Sequence, residues 1–521
     1  MIERPSRWLV PVAALILAFR FWLSSAFPVT GDEAYFIYWG VAPDLGFYDH
    51  PPMVGWILNA LLRVSAEPWV LRLPSTLLPA LIAAGIFFSL RRLDQERAAL
   101  AALAFLLLPI SVWNVLVTTD TPLILFSFFS ALCFRAALER RQRRWYALAG
   151  VLLGAAFLSK YFAVLLGLAY IGYVVASPPA ERDWRGLGVT VLCALPFAGV
   201  NAYWNYEHCW ANLMFNLYNR HGDAGWSWRT PVLYLVAVLY VLSPPAIWRL
   251  FRERAAVASR LREPGFRFFA IAFALPFAIF ALLSPVKEIG LHWLLSFVPF
   301  FFLAAALALP PVDLRRSVIY LGAFSALHLA AIAAGATVPL EKWKASRFYD
   351  GIVYEFRIGN VLRHLQPYAA DYRFAADGYS PAVVASYYSG LPAARAGRDD
   401  PIEALRSHYF FVFGPASSHA RHDDILTDFR ALDGRNILVL RKNPPREADY
   451  RPFFRALEIR SFEEAGATFY LVLGRAFDYA AYRRDVLVAM RDRYYAIPRY
   501  LPQGRCYFCE RYFGAATCPA R

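Results

Sequence analysis

The chain has 521 residues, of which 58% are hydrophobic and only 18% are charged, and its mean hydropathy is +0.38. This composition excludes an ordinary soluble protein and predicts an integral membrane protein. The net charge of +15 could indicate binding to nucleic acid, but many arginines stand between apolar runs, where membrane topology places them, so no nucleic-acid partner is expected.

Apolar runs that approach the length of a bilayer span fill the first two thirds of the chain. The first run is interpreted as an uncleaved span, because no small-residue cleavage site follows it. A long run over 145–176 is divided into two spans at Ser159-Lys160. Eleven spans are thus predicted, at 8–27, 70–90, 98–117, 121–138, 145–159, 161–176, 187–205, 231–250, 267–284, 289–309 and 317–338.

The distribution of basic residues indicates the orientation of these spans. With the N-terminus in the cytoplasm, the inner loops carry 18 arginines and the outer loops carry five basic residues. An excess of basic residues on the cytoplasmic side is typical of helical membrane proteins. The pattern predicts a multi-pass protein of a bacterial inner membrane with a periplasmic C-terminal domain.

The composition changes near residue 340, where polar residues and short alternating runs replace the long apolar segments. Alternating runs favour strands, and longer amphipathic runs favour helices. We therefore predict a membrane domain over 1–339 and a periplasmic α/β domain over 340–521. The expected strands lie at 408–414, 436–442 and 469–477, and a helix is expected at 478–494.

Four of the six cysteines are predicted to face the outer compartment, where disulfides can form. Cys506 and Cys509 have the spacing of half a zinc site, but no second such pair and no nearby histidine completes it. A structural disulfide is therefore favoured over a metal site, with the pairing left open. The outer group is Cys209, Cys506, Cys509 and Cys518, and Cys133 and Cys193 are expected to be buried thiols.

Ionisable residues collect on the predicted outer side, although such groups are costly near a bilayer and are functional candidates by default. The first outer loop holds an Asp-Glu pair and an Asp-His-Pro-Pro cluster, and later outer turns add more acids and bases. Their convergence on one face favours a reaction site there. The residues are Asp32, Glu33, Asp49, His50, Asp120, Lys160, Arg220, His221, Asp223, Lys287, Glu288 and His292.

Structural roles compete with this interpretation at single positions. Asp120 could be a helix cap, and Asp32 could be a charge in a first helical turn. Lys160 and Lys287 could lie at the membrane interface with their apolar stems in the bilayer. The histidines, each taken alone, are better explained as loop or interface residues.

Six segments in chain order resemble the polytopic glycosyltransferases with the C-type fold, in the branch related to protein O-mannosyltransferases and lipid A aminoarabinose transferases. The similarity covers about the first 310 residues, and the Asp-Glu and Asp-His-Pro-Pro segments are its most specific part. The segments are GDEAYFIYWG, FYDHPPMVGW, VLRLPS, TTDTPLILF, FLSKYFAVL and KEIGLHW.

The resemblance implies the C-type glycosyltransferase (GT-C) fold and transfer of a sugar, with inversion, from a polyprenyl phosphate such as undecaprenyl phosphate. The acceptor would be a lipid, a glycan or a protein hydroxyl on the periplasmic face. The expected partners are therefore this donor, the acceptor and membrane lipids. Aminoarabinose transferases have a Lys-Pro pair near the place where this chain has His50-Pro51, so the donor sugar is not assigned.

The resemblance also implies roles for the acidic residues. Asp32 would activate the acceptor hydroxyl as a general base, and Glu33 would tune Asp32 or hold the acceptor. Asp120 would be a second acid that positions the substrate. Two carboxylates and a phosphate could also accept a divalent metal, with Asp32 and Asp120 as ligands, and this possibility is left open.

Cations and aromatic side chains complete the expected site. Arg72, Lys160 and Lys287 would face the departing phosphate. Aromatic residues of the first loop, among them Tyr38 and Trp56, would stack on sugar or prenyl groups, unless they belong to an interfacial belt. The substrate-binding candidates are Tyr35, Tyr48, Asp49, His50, Arg72, Lys160, Arg220, His221, Lys287 and His292.

Three other functions are open to such a chain. A lipid or glycan transporter would show internal repeats and broken helices near mid-membrane, and no repeat is evident. A lipid-linked glycan ligase or polymerase would use a diphosphate-linked oligosaccharide as donor. A non-catalytic scaffold for the C-terminal domain leaves the acidic first loop unexplained, so the sequence favours a transferase.

Overall fold

The structure, a computed structural model, describes residues 5–219, 225–397, 400–414, 423–516 and 518. The chain divides into two compact units. The helical unit comprises Met1–Ala26, Arg72–Gly199 and Asp223–Gly335, and the mixed unit comprises Phe27–Leu71, Val200–Gly222 and Ala336–Arg521. Two segments from the N-terminal two thirds of the sequence thus group with the C-terminal region, and the boundary expected at 339/340 stays a prediction.

Apolar helices build the helical unit, because in hydrocarbon every backbone N–H and C=O has to be paired within its own segment. The helix Gln95–Leu106 lies in the core and is buried from Ala98 to its end. The helices that begin in this unit are Ser6–Ala26, Leu73–Leu90, Gln95–Leu106, Pro109–Trp113, Asp120–Arg140, Arg143–Phe157, Ala163–Ala176, Trp184–Glu207, Arg229–Val241, Pro244–Arg252, Arg254–Arg260, Pro264–Leu283, Leu291–Leu294, Val298–Ala308 and Pro311–Thr337.

Six helices among the described residues are long and apolar enough to cross a membrane, or seven if a pair bent by 100° counts as one span. The polytopic helical class is therefore confirmed, and the number eleven stays a prediction. Several predicted runs are divided into helices shorter than a span: 145–176 at Ser159-Lys160 and 289–309 after Leu294. The six are Ser6–Ala26, Pro68–Leu90, Asp120–Arg140, Trp184–Glu207, Pro264–Leu283 and Pro311–Thr337.

Small residues allow two helices of the helical unit to approach closely. A Cβ atom at Gly150 would lie 2.2 Å from the carbonyl oxygen of Thr190, and one at Gly154 would lie 2.3 Å from the Phe197 ring. Gly150 and Gly154 are four residues apart and therefore lie on one helix face. This is the small-xxx-small pattern by which membrane helices pack backbone against backbone.

A five-stranded sheet organises the C-terminal part of the mixed unit. Its strands are β1 (Arg373–Ala376), β2 (Phe411–Val412), β3 (Ile437–Arg441), β4 (Phe454–Glu464) and β5 (Ala467–Phe477). They lie in the order β2-β1-β3-β5-β4. β1 pairs in parallel with both β2 and β3, and β5 pairs antiparallel with β3 and β4. The α/β class of this region is therefore confirmed.

Three of these strands were expected from the sequence and two were not. β2 and β3 fall within the predicted runs, and β5 covers the run 469–477 and begins two residues before it. β1 has only four residues, and β4 carries many charged side chains and alternates only briefly, so neither forms a marked apolar run. The predicted helix at 478–494 is present in part, as α-helical turns at Tyr479–Tyr482 and Val488–Met490 with wider π-type turns around them.

The helices that begin in the mixed unit come from the first predicted loop and from the chain around the sheet. Gly31–Val41 and Met53–Leu62 pack together, and the Asn59 side-chain amide donates to the Gly40 carbonyl at 2.8 Å. All these helices are Gly31–Val41, Met53–Leu62, Pro68–Leu71, Ala211–Met214, Tyr349–Phe356, Ile358–Arg363, Tyr379–Arg395, Pro401–Ser407, Asp423–Leu426, Tyr479–Tyr482, Val488–Met490 and Tyr507–Phe513.

Two disulfides join cysteines of the mixed unit. Cys209 is bonded to Cys506, and Cys509 is bonded to Cys518. The structural-disulfide interpretation is therefore confirmed, but the two cysteines of the Cys-x-x-Cys pair bond to different partners. All three thiols that could have grouped around a metal ion are used in these bonds.

Removal of the Cys209–Cys506 disulfide is expected to destabilise the protein, because it joins residues 297 apart in sequence and restrains the unfolded chain. We expect the double variant Cys209→Ser/Cys506→Ser to lose about 2–5 kcal/mol of unfolding free energy. Denaturant unfolding of the purified protein in detergent measures this change. Cys193→Ser, which removes a free thiol, is the matched control; an equal effect of both variants would contradict the prediction.

Candidate functional site

The acidic pair of the first predicted loop begins the helix Gly31–Val41 of the mixed unit. The Thr30 hydroxyl accepts from the Glu33 backbone N–H at 3.4 Å, and a Glu33 carboxylate oxygen accepts from the Thr30 backbone N–H at 3.1 Å. This capping box buries Glu33 to 1% exposure and leaves the Asp32 side chain exposed. Asp32 accepts a hydrogen bond from the Tyr379 hydroxyl at 3.1 Å. The pair thus consists of a structural acid and an accessible acid.

The Asp-His-Pro-Pro segment lies against this helix within the mixed unit. Asp49 is buried and accepts from the Tyr35 hydroxyl at 3.2 Å. His50 is half-buried, with its ring centroid 6.1 Å from that of Trp39. The two most specific sequence motifs therefore meet in space.

Several aromatic candidates of this loop have structural contacts. Tyr48 is buried in the core of the mixed unit, 5.2 Å from the Phe215 ring. The Tyr38 hydroxyl donates to the Leu405 carbonyl at 3.0 Å, and the Trp56 indole donates to the Asp44 carbonyl at 2.8 Å. Their stacking role stays a prediction.

In the helical unit, Asp120 and Lys160 form a buried ion pair. Asp120 begins the helix Asp120–Arg140, and Lys160 lies in the break before Ala163–Ala176. The Lys160 Nζ atom lies 2.8 and 2.9 Å from the two Asp120 carboxylate oxygens. The side chains are 6% and 8% exposed, so each charge is held by the other away from water. The break that separated two predicted spans thus positions a charged side chain.

Arg20 is a buried cation that the sequence analysis did not single out. It lies within the helix Ser6–Ala26 and donates only to backbone carbonyl oxygens. One of these, on Ser75, lacks its usual helical donor, because Pro79 has no N–H. The acceptors are the carbonyls of Ser75 at 2.5 Å, Thr76 at 2.9 Å, Ser111 at 2.6 Å and Asn114 at 2.6 Å. An arginine inside an apolar run was the signal that could have found it.

A cavity of about 80 Å³ lies in the helical unit. Charged or polar groups of Arg20, Asp120 and His292 contribute to its wall, and most of the remaining wall is apolar. An apolar lining with a few polar groups is typical of ligand sites, but those sites usually have volumes of roughly 300–1,000 Å³, so this cavity by itself defines no ligand.

The other cationic candidates of this unit are placed as follows. Arg72 is buried and donates to the Ser24 carbonyl at 2.9 Å. Lys287 is half-buried after the helix Pro264–Leu283. The remaining candidates from the loop after the seventh predicted span, Arg220, His221 and Asp223, lie outside the described residues.

A divalent metal on Asp120 does not fit the arrangement in the helical unit. Both carboxylate oxygens of Asp120 are contacted by the Lys160 ammonium, whose positive charge opposes a second cation at the same oxygens. Asp32 offers one accessible carboxylate, which receives the Tyr379 hydroxyl. We derive no step through a metal from these residues.

Comparisons with known proteins find similarity in sequence and in fold. Residues 49–204 match the family model described as dolichyl-phosphate-mannose-protein mannosyltransferase. The lipid A galacturonosyltransferase RgtD of Rhizobium johnstonii (strain DSM 114642 / LMG 32736 / 3841) is 28% identical over 186 residues, which are 34% of this chain and 38% of that protein. The similarity therefore spans well under half of the length of either protein.

Two crystal structures of ArnT from Cupriavidus metallidurans, one bound to undecaprenyl phosphate and one in the apo state, have a similar fold. Each gives a TM-score of 0.56 at 17% sequence identity and covers 90% of this chain and 98% of the other. The fold defines the class: this is a multi-pass membrane protein with the C-type glycosyltransferase fold. The resemblance drawn from the six sequence segments is thus confirmed.

Loss of one partner of the Asp120–Lys160 pair is expected to cost about 3–5 kcal/mol of unfolding free energy, because the other charge stays buried and unpaired. We expect Asp120→Asn and Lys160→Met each to show this loss in denaturant unfolding. The double variant should be more stable than the sum of the two losses predicts. Glu263→Gln, which breaks a solvent-accessible pair with Arg260, should change stability by about 1 kcal/mol or less. Strictly additive losses would refute the coupling.

Proposed function

We propose that this chain is a glycosyltransferase that moves a sugar from a polyprenyl phosphate to an acceptor hydroxyl, with inversion. The proposal rests on one observation: the accessible Asp32 carboxylate begins the helix Gly31–Val41 in a chain with the C-type glycosyltransferase fold. The positive end of a helix suits an anion. An ionised carboxylate can accept a proton, as a general base has to do.

The proposed reaction uses the split acidic pair. The oxygen of the acceptor hydroxyl attacks the anomeric carbon, the bond from that carbon to the phosphate oxygen breaks, and the hydroxyl proton passes to Asp32. Glu33 is occupied in the cap and acts through the position of the helix end. That Arg72, Lys160 and Lys287 stabilise the negative charge of the departing phosphate stays a separate prediction from the sequence.

The relatives support the choice of donor and acceptor class. The ArnT structure is described as bound to undecaprenyl phosphate, and RgtD is described as acting on lipid A. We therefore propose an undecaprenyl-phosphate-linked sugar as donor and a lipid A-like glycolipid as acceptor. Both would be used on the periplasmic face of a bacterial inner membrane, which agrees with the excess of arginines in the inner loops.

We expect Asp32→Asn to lower the transfer rate by about 10²–10⁴-fold, the usual contribution of general base catalysis. The measurement is the release of free undecaprenyl phosphate from a panel of radiolabelled undecaprenyl-phosphate sugars, with a cell-envelope lipid extract as acceptor. Asp44→Asn is the matched control, because Asp44 lies in the same loop and contacts His208 within the mixed unit. It should keep a rate within about twofold of the wild type.

Other results would overturn the proposal in defined ways. Equal rates for the wild type and Asp32→Asn would remove Asp32 as base. Consumption of diphosphate-linked oligosaccharides, with no turnover of any monosaccharide donor, would favour a ligase or polymerase. Chromatographic analysis of the anomeric linkage in the product tests inversion directly.

A further inference from the structure

The carboxyl edge of the parallel strands in the mixed unit has no role in the reaction described so far. Because β1, β2 and β3 run in parallel, their carboxyl ends share one edge of the sheet. β2 lies on one side of β1 and β3 lies on the other, so the strand order reverses at this point. In open α/β sheets, ligands bind at the carboxyl edge where the order reverses. Asp377 follows β1 here, and Lys442 follows β3.

The first-loop helix is packed directly on this edge. A Cβ atom at Gly31 would lie 1.7 Å from the Ser380 Oγ atom. The N-termini of the helices Gly31–Val41 and Tyr379–Arg395 therefore meet so closely that the Ser380 side chain leaves no space for a side chain at position 31. Tyr379, the first residue of the second helix, donates its hydroxyl to Asp32 at 3.1 Å. The accessible acid thus stands at the carboxyl edge of the sheet.

Side-chain contacts hold the charged groups in place at this edge. The Arg441 guanidinium lies 3.2 Å from the Asp377 carboxylate and donates to the Tyr450 hydroxyl at 2.8 Å. The Lys442 Nζ atom lies 5.6 Å from the centre of the Tyr354 ring. The Tyr354 hydroxyl in turn donates to the Pro381 carbonyl at 2.7 Å, in the first turn of the helix Tyr379–Arg395.

Glu355 shares the electrostatic surroundings of Asp32. Burial raises the pKa of the Glu355 carboxyl, and the negative charges of Glu33 and Asp32 raise it further, while the Lys442 ammonium opposes the rise. Burial likewise raises the pKa of the Asp377 carboxyl, against the positive charges of Arg441 and Lys442. In the chain, Glu355 directly follows Tyr354, whose ring faces the Lys442 ammonium and whose hydroxyl reaches the first turn of the helix Tyr379–Arg395.

We infer that this carboxyl edge is the acceptor subsite of the proposed transferase. Glu355 and Lys442 bind hydroxyl groups of the acceptor's saccharide head group, and Tyr379 is a positioning residue that orients Asp32 toward the attacking hydroxyl. A carboxylate accepts and an ammonium donates hydrogen bonds, so the pair matches vicinal sugar hydroxyls, which can do both. Tyr379, which is half-buried, adds aromatic surface next to them. The inference rests on the proposed function and names the part of the chain that recognises the acceptor.

The first test separates acceptor binding from donor chemistry. With the detergent-solubilised full chain and lipid A in mixed micelles, Glu355→Gln and Lys442→Met should raise the acceptor KM about tenfold or more, an effect of one lost polar contact. Both should leave the KM for the undecaprenyl-phosphate sugar within about twofold. Glu403→Gln and Lys342→Met, exposed residues of the same unit, are the charge-matched controls. Tyr379→Phe should lower kcat with little change in either KM.

The second test asks whether the charges bind the acceptor. Lys442→Arg keeps the positive charge and the hydrogen-bond donors, and it should keep the acceptor KM within about threefold of the wild type, whereas Lys442→Met should not. A loss of folded protein alone would lower the rate and leave the acceptor KM of every variant unchanged. An acceptor KM that is unchanged in both Glu355→Gln and Lys442→Met would overturn the inference.

Failure of the subsite and failure of the proposed function give different results. If the wild type transfers sugar and the Glu355 and Lys442 variants behave as the controls do, the function stands and the subsite falls. If the wild type transfers no sugar, direct titration of lipid A micelles by tryptophan fluorescence decides the subsite alone. Weaker binding by the two variants than by the controls would support the acceptor surface, and equal binding would overturn it.

Discussion

The pairing of polar groups away from water is the constraint on which the helical unit depends. The Arg20 guanidinium donates hydrogen bonds to four backbone carbonyls. One of them, on Ser75, has no helical donor because Pro79 lacks an N–H. Lys160 and Asp120 neutralise each other in the same way. In hydrocarbon an unpaired group of either kind costs several kcal/mol, so these contacts decide where helices can break and meet.

In the mixed unit, the same need for pairing separates two adjacent acids. Glu33 forms the capping box with Thr30 and is buried away from solvent. Asp32, one residue earlier, stays accessible to solvent. Glu33 therefore stabilises the N-terminus of the helix, and Asp32 is the acid available for a reaction. The contact between Gly31 and Ser380 then places this helix end on the carboxyl edge of the sheet, where Tyr379 reaches Asp32.

Much of the fold followed from patterns that are local in sequence. Long apolar runs predicted a polytopic helical protein, and alternating runs predicted β2, β3 and β5, because both signals depend on the period of neighbouring residues. β1 and β4 were not predicted, because a four-residue strand and an exposed strand with many charged side chains form no marked apolar run. The Asp32, Asp49 and Lys160 candidates came from the collection of ionisable residues on the predicted outer side and from motif resemblance. Arg20 was not among the candidates, although it also lies in an apolar run.

The class of the protein, its membrane character, its acidic first loop and its four cysteines that could form disulfides were recognisable in the sequence alone, because composition and motif need no partner elsewhere in the chain. Which residues act together depends on the fold. Cys209 pairs with Cys506 across 297 positions, Asp120 pairs with Lys160, and Asp32 meets Tyr379. Such pairings depend on how distant segments pack, and no local pattern of residues records the packing of another segment.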